Sequence, residues 1–341
     1  MNKAEIADAI EDFADAAYRA FQAGLDGLEL HSSNGYLINQ FLSSAINQRG
    51  ESDYGGEIGD PSIPGAKEGR ARFVCDIIRA IREKLPEMFL SMKLSVVELD
   101  NATRVWPFHH FFPKGNSIEE SIRIAKWVEK AGASAIHVST GSMFPHPRNP
   151  AGPFPLDMAW HPFQSVVSSG RKSFALFYGM RFLGRLLPLF PALRQLLRLS
   201  WARTQADFLD GAGRPIPSKI EGLNLSEAAI IKKHVSIPVI CTGGFQTAEG
   251  ILRALRTESC DIVSIARGLL ANPTLPNWLQ AGNAGPERPC SYCNRCLVSV
   301  LEHPLGCYDL DRFDGDYDKM IDEVMSIFPD KTPDEWAPAI T

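Results

Sequence analysis

The chain has 341 residues and a net charge of −5, with 45% hydrophobic and 22% charged residues. This is the composition of an ordinary soluble globular protein, long enough for one large domain or two small ones, and its mild acidity argues against general nucleic-acid binding. The N-terminal Met-Asn-Lys-Ala-Glu-Ile-Ala-Asp has no apolar secretory core. Seven cysteines, four of them between Cys290 and Cys307, suit a reducing, cytoplasmic compartment and metal-bound thiolates, not a disulfide framework.

Helical and strand patterns alternate along the chain. Residues 4–23 read as an amphipathic helix with Ile6, Ile10, Phe13, Ala17 and Phe21 on one face, and the apolar strand 25–30 follows. A helix near 70–85 leads to strand 89–96. A helix over 117–131, opened by the capping box of Ser117 and Glu120, leads to strand 135–140. Helix 226–234 precedes strand 237–242, and helix 247–257 precedes strand 261–266. Continuous apolar strands separated by helices indicate a parallel sheet covered on both faces, and the absence of GxGxxG favours a (β/α)8 TIM barrel over a dinucleotide fold. A closed barrel needs eight such strands, so the chain is expected to form an incomplete barrel of about five βα units, an open arc over residues 1–282, followed by a cysteine-bearing tail over 283–341. An insertion, 142–222, interrupts the barrel pattern. Its middle, Arg171 to Arg203, carries seven Lys/Arg and no Asp/Glu, and reads either as a lid over the barrel mouth or as a basic amphipathic hairpin for peripheral contact with an anionic membrane.

The chemistry concentrates where the first strand ends. His31, Asn34 and Tyr36 fall within six positions, in Leu28-Glu-Leu-His-Ser-Ser-Asn-Gly-Tyr36. Two of them can donate hydrogen bonds to an anionic oxygen and the third carries an acidic proton, as needed to hold a carbonyl and protonate a neighbouring carbon. The structural alternative is a loop that satisfies its own backbone. With Asn47-Gln-Arg49, Asp53-Tyr54-Gly55-Gly56 and Arg70-Ala-Arg72-Phe73, the run resembles the old yellow enzyme family of FMN-dependent ene-reductases, also called the NADH:flavin oxidoreductase family. Gly69 stands where that motif has Asn.

The resemblance implies FMN, with NAD(P)H as reductant, and reduction of the C=C bond of an α,β-unsaturated carbonyl compound. In that reading His31 and Asn34 hold the carbonyl oxygen and Tyr36 protonates the α-carbon. Lys93 would be a cation beside the flavin's pyrimidine end, where Arg is usual; a snorkelling structural lysine is the alternative. Gly243 and Gly244, after one strand, and Ala266 and Arg267, at the end of the next, match the family's phosphate signature. The His-Asn-Tyr motif follows the family's fourth strand, so the first three βα units have no counterpart here; they lie on another polypeptide, or the chain is a truncated product.

Cys290, Cys293, Cys296 and Cys307 read as a ligand set for Fe–S or Zn, with unmetallated thiols as the alternative, and resemble the [4Fe–4S] site of the trimethylamine dehydrogenase and 2,4-dienoyl-CoA reductase branch. The four sulfurs are expected to face one point, whereas Cys75, Cys241 and Cys260 read as core residues. Two other functions stay open: an amine-dehydrogenase-like flavoprotein, and an inactive paralogue unable to bind flavin.

Overall fold

A computed structural model describes residues 1–51, 53–103, 111–142, 146–153, 207–300 and 303–326. Its contacts group the chain into two units, one of residues 1–150, 222–245 and 250–264, the other of 151–221, 246–249 and 265–341. The boundary expected at residue 282 falls inside the second unit. The basic stretch 171–203 lies outside the described residues. No described helix is long and apolar enough to cross a membrane.

The first unit is built on a five-stranded sheet of β1 (Gly27–Ser32), β2 (Phe89–Ser95), β3 (Ala135–Ser139), β4 (Val239–Thr242) and β5 (Ile262–Ser264). The strands lie in chain order and every pair is parallel. Among the described residues β1 and β5 each pair on one side only, so the sheet is open, as expected from five units. Parallel neighbours need a crossover, and the helices supply it. The helices are α1 (Lys3–Gln22), which leads into β1, and, between the strands, α2 (Leu37–Leu42), α3 (Arg72–Lys84), α4 (Ile118–Ala131), α5 (Leu225–Lys232) and α6 (Ala248–Arg256).

Local signals set the helix ends. Asn2 and Glu5 form a capping box at α1, and Ser117 and Glu120 form the expected one at α4. The buried stripe of α1 is narrower than its periodicity suggests: Ile6, Ala14 and Ala17 are buried, while Phe21 is exposed. Small alanines let α1 pack closely on α3, and Lys84 of α3 pairs with Glu11 and Asp15 across that contact. On its inner side α3 buries Phe73, Val74, Cys75, Ile77, Ile78 and Ile81. Each such side chain contributes roughly 1.5–3 kcal/mol by leaving water. All five residues of β3 are buried, which makes it the centre of the sheet. Cys75, Cys241 and Cys260 are core residues, as read from the sequence.

Candidate active site

The loop after β1 is held by hydrogen bonds between neighbours. Ser33 Oγ donates to Asn34 Oδ1 at 2.7 Å and lies 3.2 Å from His31 Nδ1. A hydroxyl has one proton to give, so at His31 the Ser33 oxygen accepts and Nδ1 carries the hydrogen. In the neutral ring, Nε2 is then an acceptor. Burial first, and then the Lys93 charge, lower the His31 pKa and disfavour the imidazolium. The Asn34 Nδ2 group is buried without a hydrogen-bond partner, which makes it the standing donor of the loop. Tyr36 is half exposed, and its ring lies 4.5 Å from that of His31. His31, Asn34 and Tyr36 are therefore brought together at the C-terminal end of β1.

Backbone geometry fixes this arrangement. Asn34 takes φ +60°, a left-handed conformation that Asn tolerates better than most residues. Its N–H donates to Ser95 Oγ at 3.3 Å, and Ser95 Oγ donates to Gly141 O at 2.6 Å. Asn39, in the unforeseen helix α2, accepts from Gly35 N and donates to Glu98. Glu98 is fully buried and also accepts from Ser43 Oγ and Asn116 N. Burial raises its pKa against the pull of those hydrogen bonds.

The other motif residues of this region build structure. Asn47 Nδ2 bonds Phe41 O and Tyr54 O, and Arg49 pairs with Asp53 at 2.7 Å. Arg70 bonds Leu42 O, Gly56 O and Glu120. Gly69 has φ +54°, and a Cβ there would lie 2.0 Å from Glu57 O, so the close turn explains the glycine.

Strand register extends the site sideways. His31 is paired with Lys93, and Lys93 with His137, so the three stand in one row on one face of β1, β2 and β3. Lys93 is partly buried, and its ammonium has no hydrogen bond or ion pair among the described residues. Glu29 lies one step back on the same face and accepts from His137 Nδ1 at 2.8 Å and from Ser91 Oγ at 3.1 Å. Burial works to raise the Glu29 pKa, but the His137 bond and the nearby positive charges outweigh it, and the carboxyl titrates below its usual range. Ser33, Glu29 and His137 escaped the sequence reading. Their signal was there: Glu29 shares the side-chain parity of His31, and His137 is a polar residue inside the buried run Ala-Ile-His-Val.

Gly243 and Gly244 follow β4 with φ +158° and +70°. A Cβ on Gly243 would press on Leu223 N and Asn224 N at 3.1 and 3.2 Å, so glycine lets that segment approach the strand end.

In the second unit, Ala266 caps the short helix that Arg267 opens. The Arg267 guanidinium donates to Ala151 O and Asn294 Oδ1 and lies over the Tyr292 ring at 5.2 Å. The four cysteines are near enough for Cys296 to feel the other three and Arg267; burial foremost pushes its pKa up to about 12. Among the described residues no three His, Cys, Asp or Glu side chains are grouped to hold a metal ion. Two of the thiols also make local bonds. Cys290 Sγ accepts from Tyr292 N, and Cys293 interacts with Arg295 N and Ser291. The donor set suits a thiophilic metal.

Comparison with known proteins adds to this geometry. Residues 1–155 match the NADH:flavin oxidoreductase / NADH oxidase family, and residues 213–308 match dihydrouridine synthase (Dus). A Thermoanaerobacter brockii NADH oxidase is 29% identical over 292 residues, 85% of this chain and 32% of that protein. A Clostridium sporogenes cinnamate reductase is 24% identical over 303 residues, 88% of this chain and 34% of that protein. A solved 2-naphthoyl-CoA reductase, in complex with 2-naphthoyl-CoA, superposes with a TM-score of 0.59 at 22% identity, covering 93% of this chain and 36% of that one, and supports the fold. The chain is thus similar to the NADH:flavin oxidoreductase, or old yellow enzyme, family, by a family match over its first 155 residues and by relatives such as the NADH oxidase. It spans about a third of the length of the two curated relatives.

Proposed function

We propose that the chain serves an FMN-dependent NAD(P)H oxidoreductase that reduces the C=C bond of α,β-unsaturated carbonyl compounds. The observation that carries this reading is the buried, unpartnered Asn34 Nδ2, next to His31 and Tyr36 at a strand end. The residues present fit a flavin: Lys93, partly buried, brings a cation to the row that starts at His31. FMN, when bound, supplies the hydride that goes to the substrate's β-carbon. Asn34 Nδ2 donates to the carbonyl oxygen and stabilises the negative charge that builds there. The Tyr36 hydroxyl gives its proton to the α-carbon. Lys93 offers positive charge to an electron-rich ring edge. The assignment of Gly243, Gly244 and Arg267 to the flavin phosphate rests on family resemblance, and no step is assigned to the cysteines.

The test is a pair of half-reactions on the purified protein with FMN. Tyr36→Phe is expected to slow 2-cyclohexen-1-one reduction by about 10- to 100-fold, in line with general acid catalysis, while flavin reduction by NAD(P)H stays unchanged. An equal loss in both half-reactions would remove Tyr36 from the proton step. Failure of the wild-type chain to bind FMN would overturn the proposal.

A further inference from the structure

The Glu29–His137 pair is not used by the mechanism above, yet it is the most constrained titratable pair on that face. His137 is only 6% exposed, and its Nε2 atom has no hydrogen-bond partner among the described residues. A buried polar atom left this way costs about 1–3 kcal/mol unless something meets it. Its other nitrogen is committed: Glu29 titrates low, is an acceptor only when ionised, and lies 2.8 Å from Nδ1. The hydrogen of the neutral ring is therefore on Nδ1, and Nε2 presents a lone pair. Ser91 Oγ bonds the same Glu29 oxygen and steadies it. One strand over, Lys93 stands level with His137 and places a donor beside that acceptor.

We propose that His137 is a further flavin-binding residue, accepting a hydrogen bond through Nε2 from an N–H or O–H of the cofactor, with Glu29 as the positioning residue that fixes its tautomer. This rests on the flavin reading of the site. Two parts of FMN carry such a donor, the imide N–H of the ring and the hydroxyls of the ribityl chain. Lumiflavin, which has the imide and lacks the chain, separates them.

The experiment combines FMN and lumiflavin titrations, read by flavin fluorescence, with long-range 1H–15N spectra of 15N-histidine-labelled full-length chain at pH 7.5. His137→Asn, which can replace only the Nδ1 side, is expected to weaken FMN binding about 5- to 10-fold, the worth of one hydrogen bond. His137→Gln, whose amide reaches the Nε2 position, should stay within about 3-fold of wild type. In the spectra, wild-type His137 should be protonated on Nδ1 only; Glu29→Ala should mix the tautomers, and Glu29→Gln, which keeps an acceptor oxygen, should restore them. If His137→Asn weakens lumiflavin as much as FMN, the donor is the imide; if it weakens FMN alone, the donor is the ribityl chain. Wild-type FMN binding with both His137 variants unchanged overturns this inference and leaves the flavin reading standing. A ring protonated at both nitrogens, or a tautomer indifferent to Glu29→Ala, also overturns it. No FMN binding by the wild type overturns both.

Discussion

The loop after β1 and the segment from Cys290 to Cys307 each gather several polar side chains in a short stretch, yet they hold them in opposite ways. After β1 the functional groups are wired to one another and to the next strands: Ser33 joins His31 to Asn34, Ser95 takes the Asn34 N–H, and Asn39 reaches Glu98. Among the buried groups of that loop, Asn34 Nδ2 remains unpartnered. In the cysteine segment Cys290 and Cys293 bond their own backbone and neighbours, while Cys296 lies within electrostatic reach of the other three thiols. Protein hydrogen bonds can pre-arrange a site for a carbonyl. Thiols make weak hydrogen bonds, so a cysteine set depends on what it binds for its arrangement.

This contrast can be broken in several places. The largest effect is expected in the wiring behind the β1 loop. Glu98→Ala leaves Asn39 Nδ2, Ser43 Oγ and Asn116 N facing a void in a fully buried position, and should cost about 3–5 kcal/mol in urea unfolding. A loss under about 1 kcal/mol would mean that the loop holds without this hub.

The next concerns the buried His146, whose pKa burial lowers from 6.5 to about 4. The unfolded chain binds that proton at a higher pH than the folded chain does. The stability that the neutral ring brings is therefore complete above pH 6.5 and is lost as pH falls toward 4, by up to about 3 kcal/mol. His146→Gln should flatten the wild-type slope of stability against pH in that window; parallel curves for the two proteins would refute the assignment.

Thiol labelling tests the other side of the comparison. With a pKa of about 12, Cys296 should react with iodoacetamide at pH 8 about a thousandfold more slowly than it does in urea. Equal rates would show an open segment. Iron and sulfide recovered after anaerobic purification would show that a bound cluster gathers the cysteines and that their local bonds give way.

The smallest effect sharpens the wired side. Ser33→Ala unlinks His31 from Asn34 at a cost of about 1 kcal/mol or less, and should raise the KM for 2-cyclohexen-1-one roughly fivefold. An unchanged KM would leave Ser33 a packing role only.

How far the sequence revealed this molecule depends on the kind of signal. The strands were legible because parallel strands buried on both faces read as unbroken apolar runs, and Ser117 with Glu120 marked the start of α4 as its cap requires. Helix α2 was missed because its six residues, Leu-Ile-Asn-Gln-Phe-Leu, are too short to show a period, and tertiary bonds from Asn39 hold it. His31, Asn34 and Tyr36 stood out because their residue types carry chemistry at close spacing. Glu29 and His137 did not, since their meeting across 108 positions depends on the register of three strands. The cysteine spacing was legible as a ligand set, but spacing does not say where each sulfur goes.

The Ser95 hydroxyl has a consequence for motion. It takes the Asn34 N–H and gives its own proton to Gly141 O, so one side-chain oxygen at the end of β2 fastens the loop after β1 to the loop after β3. The ends of β1 and β3 are thereby linked through β2, and amide hydrogen exchange at Asn34 reads the opening of that link.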